Sequence, residues 1–154
     1  MKDKILNILD EIEKKEKIKI LHAVESGSRA WGFESNDSDY DVRFIYVRPL
    51  DCYLSIEEKR DVIEYSESNS LDISGWDIKK ALQLFNSSNP PLYEWLTSPI
   101  TYIEKEGFAE RLRDLIAIFY SRTSCLYHYL HMAKGNYRNY LKGDKVKSLS
   151  KEKF

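Results

Sequence analysis

Residues 26–47 read SGSRAWGFESNDSDYDVRFIYV, and the fold turns on what joins Gly27 and Ser28 to the aspartates downstream. YDVRFIYV (40–47) has the β-branched and aromatic content of a strand. Asp39 and Asp41 stand at its head, one residue apart. Alternate residues of a strand share a face, so the two carboxylates project together, about 6.5–7 Å apart at Cα. Two like charges on one face of a buried sheet repel, and something positive belongs between them.

On the upstream side, IKILHAV (18–24) reads as a buried strand that Gly27 and Ser28 end. SRAWGF is broken by Gly32 and has room for one or two helical turns. A strand that stops at glycine and turns into a short helix exposes backbone N–H groups without partners, which makes a cradle for an anion. Glycine lets a phosphate approach the main chain, and the Ser28 hydroxyl adds a donor. ESNDSD (34–39) is a polar turn leading to the aspartates. Paired carboxylates suit a hard cation such as Mg²⁺, which shares its oxygen ligands between protein and substrate phosphates. They can converge on one ion or bracket two. A third carboxylate on a neighbouring strand completes a two-metal site, and Asp72 in SLDIS is the best placed, with Leu71 and Ile73 facing the core.

Outward from this centre the chain alternates helical and strand periods. Residues 3–15 set Ile5, Ile8, Leu9 and Ile12 at helical spacing. DVIEY (61–65) and SLDISGWD (70–77) flank SESN as a hairpin. IKKALQLF (78–85) is helical with Asp77 as N-cap, and NPPLYEWL (89–96) starts a helix with Asn89 as N-cap and Pro90 in the first turn. ITYIEK (100–105) is a short strand, and Phe108 to about Leu141 is helical. The fold class is α+β: a small mixed β-sheet with helices packed on it, followed by a helical C-terminal segment. The 154 residues suffice for one core, and the net charge of −1 excludes a general DNA coat or a polybasic membrane binder. Cys52 and Cys125 form neither a disulfide framework nor a zinc knuckle. The charged N-terminus is no signal peptide, so a cytoplasmic protein with no membrane partner is expected.

GSRAWGFESNDSDYDVR resembles the signature of the nucleotidyltransferase superfamily that includes DNA polymerase beta. In that signature a Gly-Ser is followed after about ten residues by Asp-x-Asp at a strand; here ten residues, Arg29 to Ser38, lie between Ser28 and Asp39. GSRAWGF, SDYDVRF, LDISGWDIKKAL and NPPLYEWL are similar to one bacterial and phage branch, the predicted nucleotidyltransferases of the YcgL type, over most of residues 20–100. The resemblance implies a polymerase-beta-like nucleotidyltransferase core over 1–105 and a helical segment over 106–154 that is incomplete relative to the family, whose members continue with further helices. It implies that Gly27 and Ser28 bind nucleotide phosphates, that Asp39 and Asp41 hold metal, and that Asp72 shares a metal and helps to deprotonate an acceptor hydroxyl. Arg29 and Arg43 match arginines of the motif and are assigned to nucleotide binding; Asn89 and Glu94 match an Asn-Pro…Glu segment without a role. The implied cofactor is Mg²⁺, two ions, with Mn²⁺ as a substitute. The implied partners are a nucleoside triphosphate, ATP by default, and an acceptor that is an RNA end, a protein or a small molecule.

Several residues keep a second reading. Arg43 is on the Asp41 face and serves equally as counter-ion to the carboxylates; Asp72 also fits a surface position of a hairpin. Asp37, Asp39 and Asp41 imitate a calcium loop, but its glycine and glutamate positions hold Val42 and Arg48, which rejects it. Trp76 and Trp95 read as core before they read as base platforms. His128 and His131 share a helix face without a third ligand, and Arg122 with His128 resembles the Arg-x₄₋₆-His of HEPN-type ribonucleases at a spacing that chance supplies. The functional alternative is a catalytically inactive nucleotide-binding or protein-interaction module on the same scaffold.

Overall fold

Helix α1 (Lys2–Glu16) buries Ile5, Ile8, Leu9 and Ile12, the four positions its periodicity marks. These residues cover one face of a sheet in a computed structural model that describes residues 1–35, 38–68 and 70–138. The sheet has five strands: β1 (Lys19–Ser26), β2 (Tyr40–Val47), β3 (Val62–Ser68), β4 (Leu71–Asp77) and β5 (Thr101–Glu104). Their order is β3-β4-β2-β1-β5. The β1–β2, β1–β5 and β3–β4 pairs are antiparallel, and β2–β4 is parallel. Seven helices are present among the described residues, so the molecule is α+β with a mixed sheet.

Alternation along the strands sorts the apolar side chains into two cores. Ile20, Ala23, Val42, Phe44, Tyr46, Leu71 and Ile73 pack with α1. On the other face Val24 and Ile45 meet Ala81 and Phe85 of α4 (Ile78–Asn86), Leu92, Trp95 and Leu96 of α5 (Pro90–Thr97), and Ala109 and Leu112 of α6 (Phe108–Phe119). Gly75 is required where it stands: a Cβ there would lie 2.2 Å from Phe44 Cε2, its ring neighbour in the parallel register. The caps read from sequence hold. Asp77 accepts from the Lys79 amide at 2.9 Å, and Asn89 accepts from the Leu92 amide at 3.4 Å, with Pro90 in the first turn.

Two features depart from the sequence reading. The helical pattern from Phe108 onward is two helices, α6 and α7 (Arg122–Asn136), because Tyr120 is extended (φ −71, ψ 121) and Ser121 caps the second by accepting from the Ser124 amide. The short helix α3 (Leu50–Leu54) follows Pro49 where only the end of a strand is read. Asp37 of the rejected calcium pattern, Asn69 of the SESN turn, and the chain from 139 onward lie outside the described residues. Among the described residues no helix is long and apolar enough to cross a membrane.

Candidate functional site

The register of three strands builds the site. Ser26 pairs with Asp41 across β1–β2, and Asp41 pairs with Asp72 across β2–β4. The end of β1 and the starts of β2 and β4 therefore meet in one row at one end of the three central strands. Asp39 lies just before β2. Residues on paired strands share a face when their Cα atoms are opposite, so Asp41 and Asp72 project side by side; Leu71 and Ile73 point to the α1 core, as the alternation requires.

The sequence reading sets the positive group between Asp39 and Asp41; in the structure Asp39 precedes the strand, and the cation, Arg43, stands between Asp41 and Asp72. Its Nη2 donates to Asp41 Oδ1 at 3.2 Å and to Asp72 Oδ2 at 2.7 Å, and its Nη1 donates to the carbonyls of Val42 and Asp72. In this conformation Arg43 is a counter-ion. Burial pushes the Asp41 carboxyl above the ordinary carboxylate range; Arg43 pulls it down, while Asp72 and Asp39 push it up. All three acids thus act on one local field.

Gly27 completes the row. It opens the single-turn helix α2 (Gly27–Ala30) with φ +69, a left-handed conformation open to glycine. A Cβ on it would sit 2.1 Å from Asp41 Oδ2. The Asp41 carboxylate therefore touches Arg43 through one oxygen and the bare backbone of Gly27 through the other. The carbonyl of Ser28 accepts from the amides of Trp31 and Phe33, which closes the turn.

Arg29 has a task that sequence alone does not reveal. Its guanidinium donates to the carbonyls of Ser38 and Asp39 and lies 4.0 Å from the centroid of the Tyr40 ring. It ties α2 to the segment that delivers Asp39. Glu25 is the residue passed over. It is 1% exposed; its Oε1 accepts from the Asp41 amide at 2.8 Å, and its Oε2 accepts from the Tyr102 hydroxyl at 2.5 Å. Burial pushes its carboxyl up against the opposing pull of those two hydrogen bonds. The available signal is a carboxylate inside an apolar strand run, ILHAVES.

Other singled-out residues are not members of the row. Trp95 is buried, and Trp76 is half-buried and stacked on it. Glu94 accepts from the Tyr129 hydroxyl at 3.3 Å. Arg122, His128 and His131 lie on α7, away from the row, and His131 Nδ1 is 3.0 Å from the Tyr127 carbonyl. Cys52 and Cys125 are free thiols. Among the described residues no three His, Cys, Asp or Glu side chains are gathered closely enough to hold a metal ion. The fit to a cation rests instead on Asp41 and Asp72, whose oxygens already converge on one cationic group, with Asp39 adjoining in sequence and in field. Hard oxygen donors of this kind suit Mg²⁺ or Mn²⁺.

The chain is 53% identical over 147 residues to a Bacillus subtilis (strain 168) protein named "Uncharacterized protein YcgL"; the match takes in 96% of this chain and 56% of that protein. The chain thus spans little more than half the length of that relative. A family model described as the RNA repair pathway DNA polymerase beta family matches residues 1–153. With a mixed sheet that carries Gly27, Asp41 and Asp72 in one row and a match over nearly its whole length, the chain belongs to the RNA repair pathway DNA polymerase beta family.

Proposed function

We propose that the protein is a metal-dependent nucleotidyltransferase that moves a nucleoside monophosphate from a nucleoside triphosphate, ATP by default, to a hydroxyl acceptor. The observation that carries the reading is the row itself: Asp41 and Asp72 gather round one cation beside a turn whose glycine leaves the backbone bare. Mg²⁺, with Mn²⁺ as substitute, would be held by Asp39, Asp41 and Asp72 and would supply charge neutralisation at the triphosphate and a more acidic acceptor hydroxyl. The chain's own residues do the rest. Gly27 and Ser28 seat the phosphates against main-chain N–H groups. Arg29 holds the segment that carries Asp39. Arg43 swings from the carboxylates to the substrate phosphates, exchanging one set of anionic partners for another. Asp72 accepts the acceptor's proton as its oxygen bonds the α-phosphorus and the bond to pyrophosphate breaks. The family's description speaks of RNA repair, which favours an RNA end as acceptor over a protein or a small molecule. A reduced, cytoplasmic setting belongs to the same proposal and accords with two free cysteines.

A rival reading, a nucleotide-binding or interaction module without catalysis, draws on Arg43, which stands between the carboxylates. Isothermal titration with a non-hydrolysable triphosphate, with and without Mg²⁺, separates the two when joined to an assay for pyrophosphate release on an RNA 3′ end. Metal-dependent binding and pyrophosphate release, both lost in Asp39→Asn and Asp41→Asn with the fold retained, are expected. Binding without release would favour the module, and unchanged turnover in the variants would sink the assignment.

A further inference from the structure

Beyond Asp72, β4 carries Ser74 and Trp76 on the same face of the sheet. The register sets Ser74 between Arg43 on β2 and Glu64 on β3, and Trp76 between Ile45 and Val62. A groove of about 390 Å³ runs over this stretch, and Arg43, Glu64, Asp72, Ser74, Trp76 and Trp95 line it. Trp95 is buried and stacks on Trp76 with ring centroids 3.8 Å apart and an interplanar angle of 29°. The Trp76 indole is therefore fixed in orientation by a second ring, while its half-exposed remainder faces the groove. This is an aromatic surface at the end of a polar trough, and the bound nucleotide's phosphates have no use for it.

Its place relative to the row gives it a use. In the order β3-β4-β2-β1-β5, Gly27 adjoins Asp41 from the β1 side, and the groove lies on the β4–β3 side. Displacement at phosphorus is in line: the attacking and leaving oxygens stand on opposite sides of the transferred group. Pyrophosphate leaving toward Gly27 requires the acceptor hydroxyl to arrive from the Asp72 side, so the molecule that carries it occupies the groove. Asp72 and Trp76 are four residues apart, roughly 13 Å along the strand, a span that a terminal nucleotide bridges with the two side chains reaching toward it. Resting on the nucleotidyltransferase reading, we infer that the groove is the acceptor subsite, with Trp76 the stacking platform for the terminal base of an RNA 3′ end. Every base has a π-face, so such a platform accepts an end without reading its sequence. Ser74 and Glu64 offer polar partners to the sugar.

The test measures binding of a 5′-labelled oligoadenylate with a free 3′ hydroxyl by fluorescence anisotropy, beside titration of the same proteins with a non-hydrolysable triphosphate and Mg²⁺. Trp76→Leu keeps an apolar contact with Trp95 and removes the π-face; Ser74→Leu fills the trough beside the stack and adds no π-face. Both variants are expected to bind the oligonucleotide on the order of tenfold more weakly, with triphosphate affinity within about twofold of wild type. Circular dichroism checks the fold, and Ser74→Leu carries the test should Trp76→Leu unfold. Undiminished oligonucleotide binding in a folded variant overturns the inference. So does an equal loss of triphosphate affinity, which would give the groove to the donor's base. A wild type that binds triphosphate and Mg²⁺ but no oligonucleotide overturns the groove alone. One that binds oligonucleotide through Trp76 but no triphosphate overturns the parent reading and leaves a nucleic-acid end-binding groove.

Discussion

Replacing Arg43 with Gln removes the cation that stands between Asp41 and Asp72 while keeping most of the stem and an amide donor. Both carboxylate oxygens touch Nη2, at 3.2 and 2.7 Å. They therefore lie within about 6 Å of each other, where two unit charges repel by about 0.7 kcal/mol in water and about 3 kcal/mol at an effective dielectric of 20. The side chains of Arg43, Asp41 and Asp72 are 19%, 31% and 56% exposed, which sets the site between those limits. The expected loss of stability at neutral pH is about 1–2 kcal/mol, a fall in Tm of roughly 3–6 °C for a chain of this size. Mg²⁺ should restore the variant more than it stabilises the wild type, where the ion has first to displace a guanidinium. The pH dependence has a definite sign. Burial, Asp72 and Asp39 push the Asp41 carboxyl up, and Arg43 is the group that pulls it down, so the variant's carboxyl lies higher still. An acid whose folded pKa exceeds its unfolded value binds more protons when folded. Its penalty is full above the folded pKa and fades as pH falls through it toward the ordinary 3.8. The gap between variant and wild type should therefore close on acidification. Urea unfolding followed by circular dichroism, in chelator and in Mg²⁺ across pH, measures all three effects. Equal stability of the two proteins at neutral pH and low salt, or a gap that stays open in acid, would refute the assignment of Arg43 as the counter-ion.

Gly27→Ala places a Cβ 2.1 Å from Asp41 Oδ2 at a φ of +69; the carboxylate can swing aside, so the expected cost in stability is about 1–2 kcal/mol, with triphosphate affinity by calorimetry falling further than stability does. Gly75→Ala drives a methyl into the Phe44 ring, which the core holds in place, and should cost about 2–3 kcal/mol or more in urea unfolding without a specific effect on nucleotide affinity in whatever fraction stays folded. Glu25→Ala strands the Asp41 amide and the Tyr102 hydroxyl and should cost about 2–4 kcal/mol. Glu25→Gln keeps a partner for each and sheds a carboxyl that burial pushes up; it should match or exceed wild type at neutral pH and lack the wild type's gain in stability as pH falls through the folded Glu25 pKa.

The parts of this fold legible in sequence are those with a period. α1 shows itself through Ile5, Ile8, Leu9 and Ile12, and β4 through the alternation of Leu71, Ile73 and their polar neighbours, because burial of one face is local to the element. The caps Asp77 and Asn89 are legible for the same reason: a side chain satisfies an amide two or three residues away. The break at Tyr120 has no glycine or proline to announce it, and it depends on Ser88, buried in the turn between α4 and α5, whose hydroxyl accepts from the Ser121 amide at 2.8 Å. α3 is too short to display a period. At the site, the residue types and their spacing are visible along the chain. The parallel register of β2 and β4 is not, since it is set by a crossover through α3 and β3. Only that register makes Asp72 the neighbour of Asp41 and gives Arg43 both partners. Glu25 escapes for a related reason: whether a carboxylate in an apolar strand is solvated or buried depends on Tyr102, which arrives 77 residues later.

These long-range contacts make the carboxylate row a property of the core and not of a loop. Asp41 is held from three directions: its amide by Glu25, one oxygen by Arg43, the other against Gly27. β4 is held beside it by the close approach of Phe44 to Gly75, three residues along the same pair of strands. A site built on strands keeps its donor geometry when substrate arrives, so little ordering cost falls on binding. The movable part is Arg43, a long side chain whose charge is satisfied equally by carboxylates or by phosphate. The sheet thus fixes where the anions are, and in the proposed reaction the arginine would hold the row until a cation and a triphosphate replaced it. Without that arginine two partly exposed carboxylates would repel across strands whose register keeps them side by side.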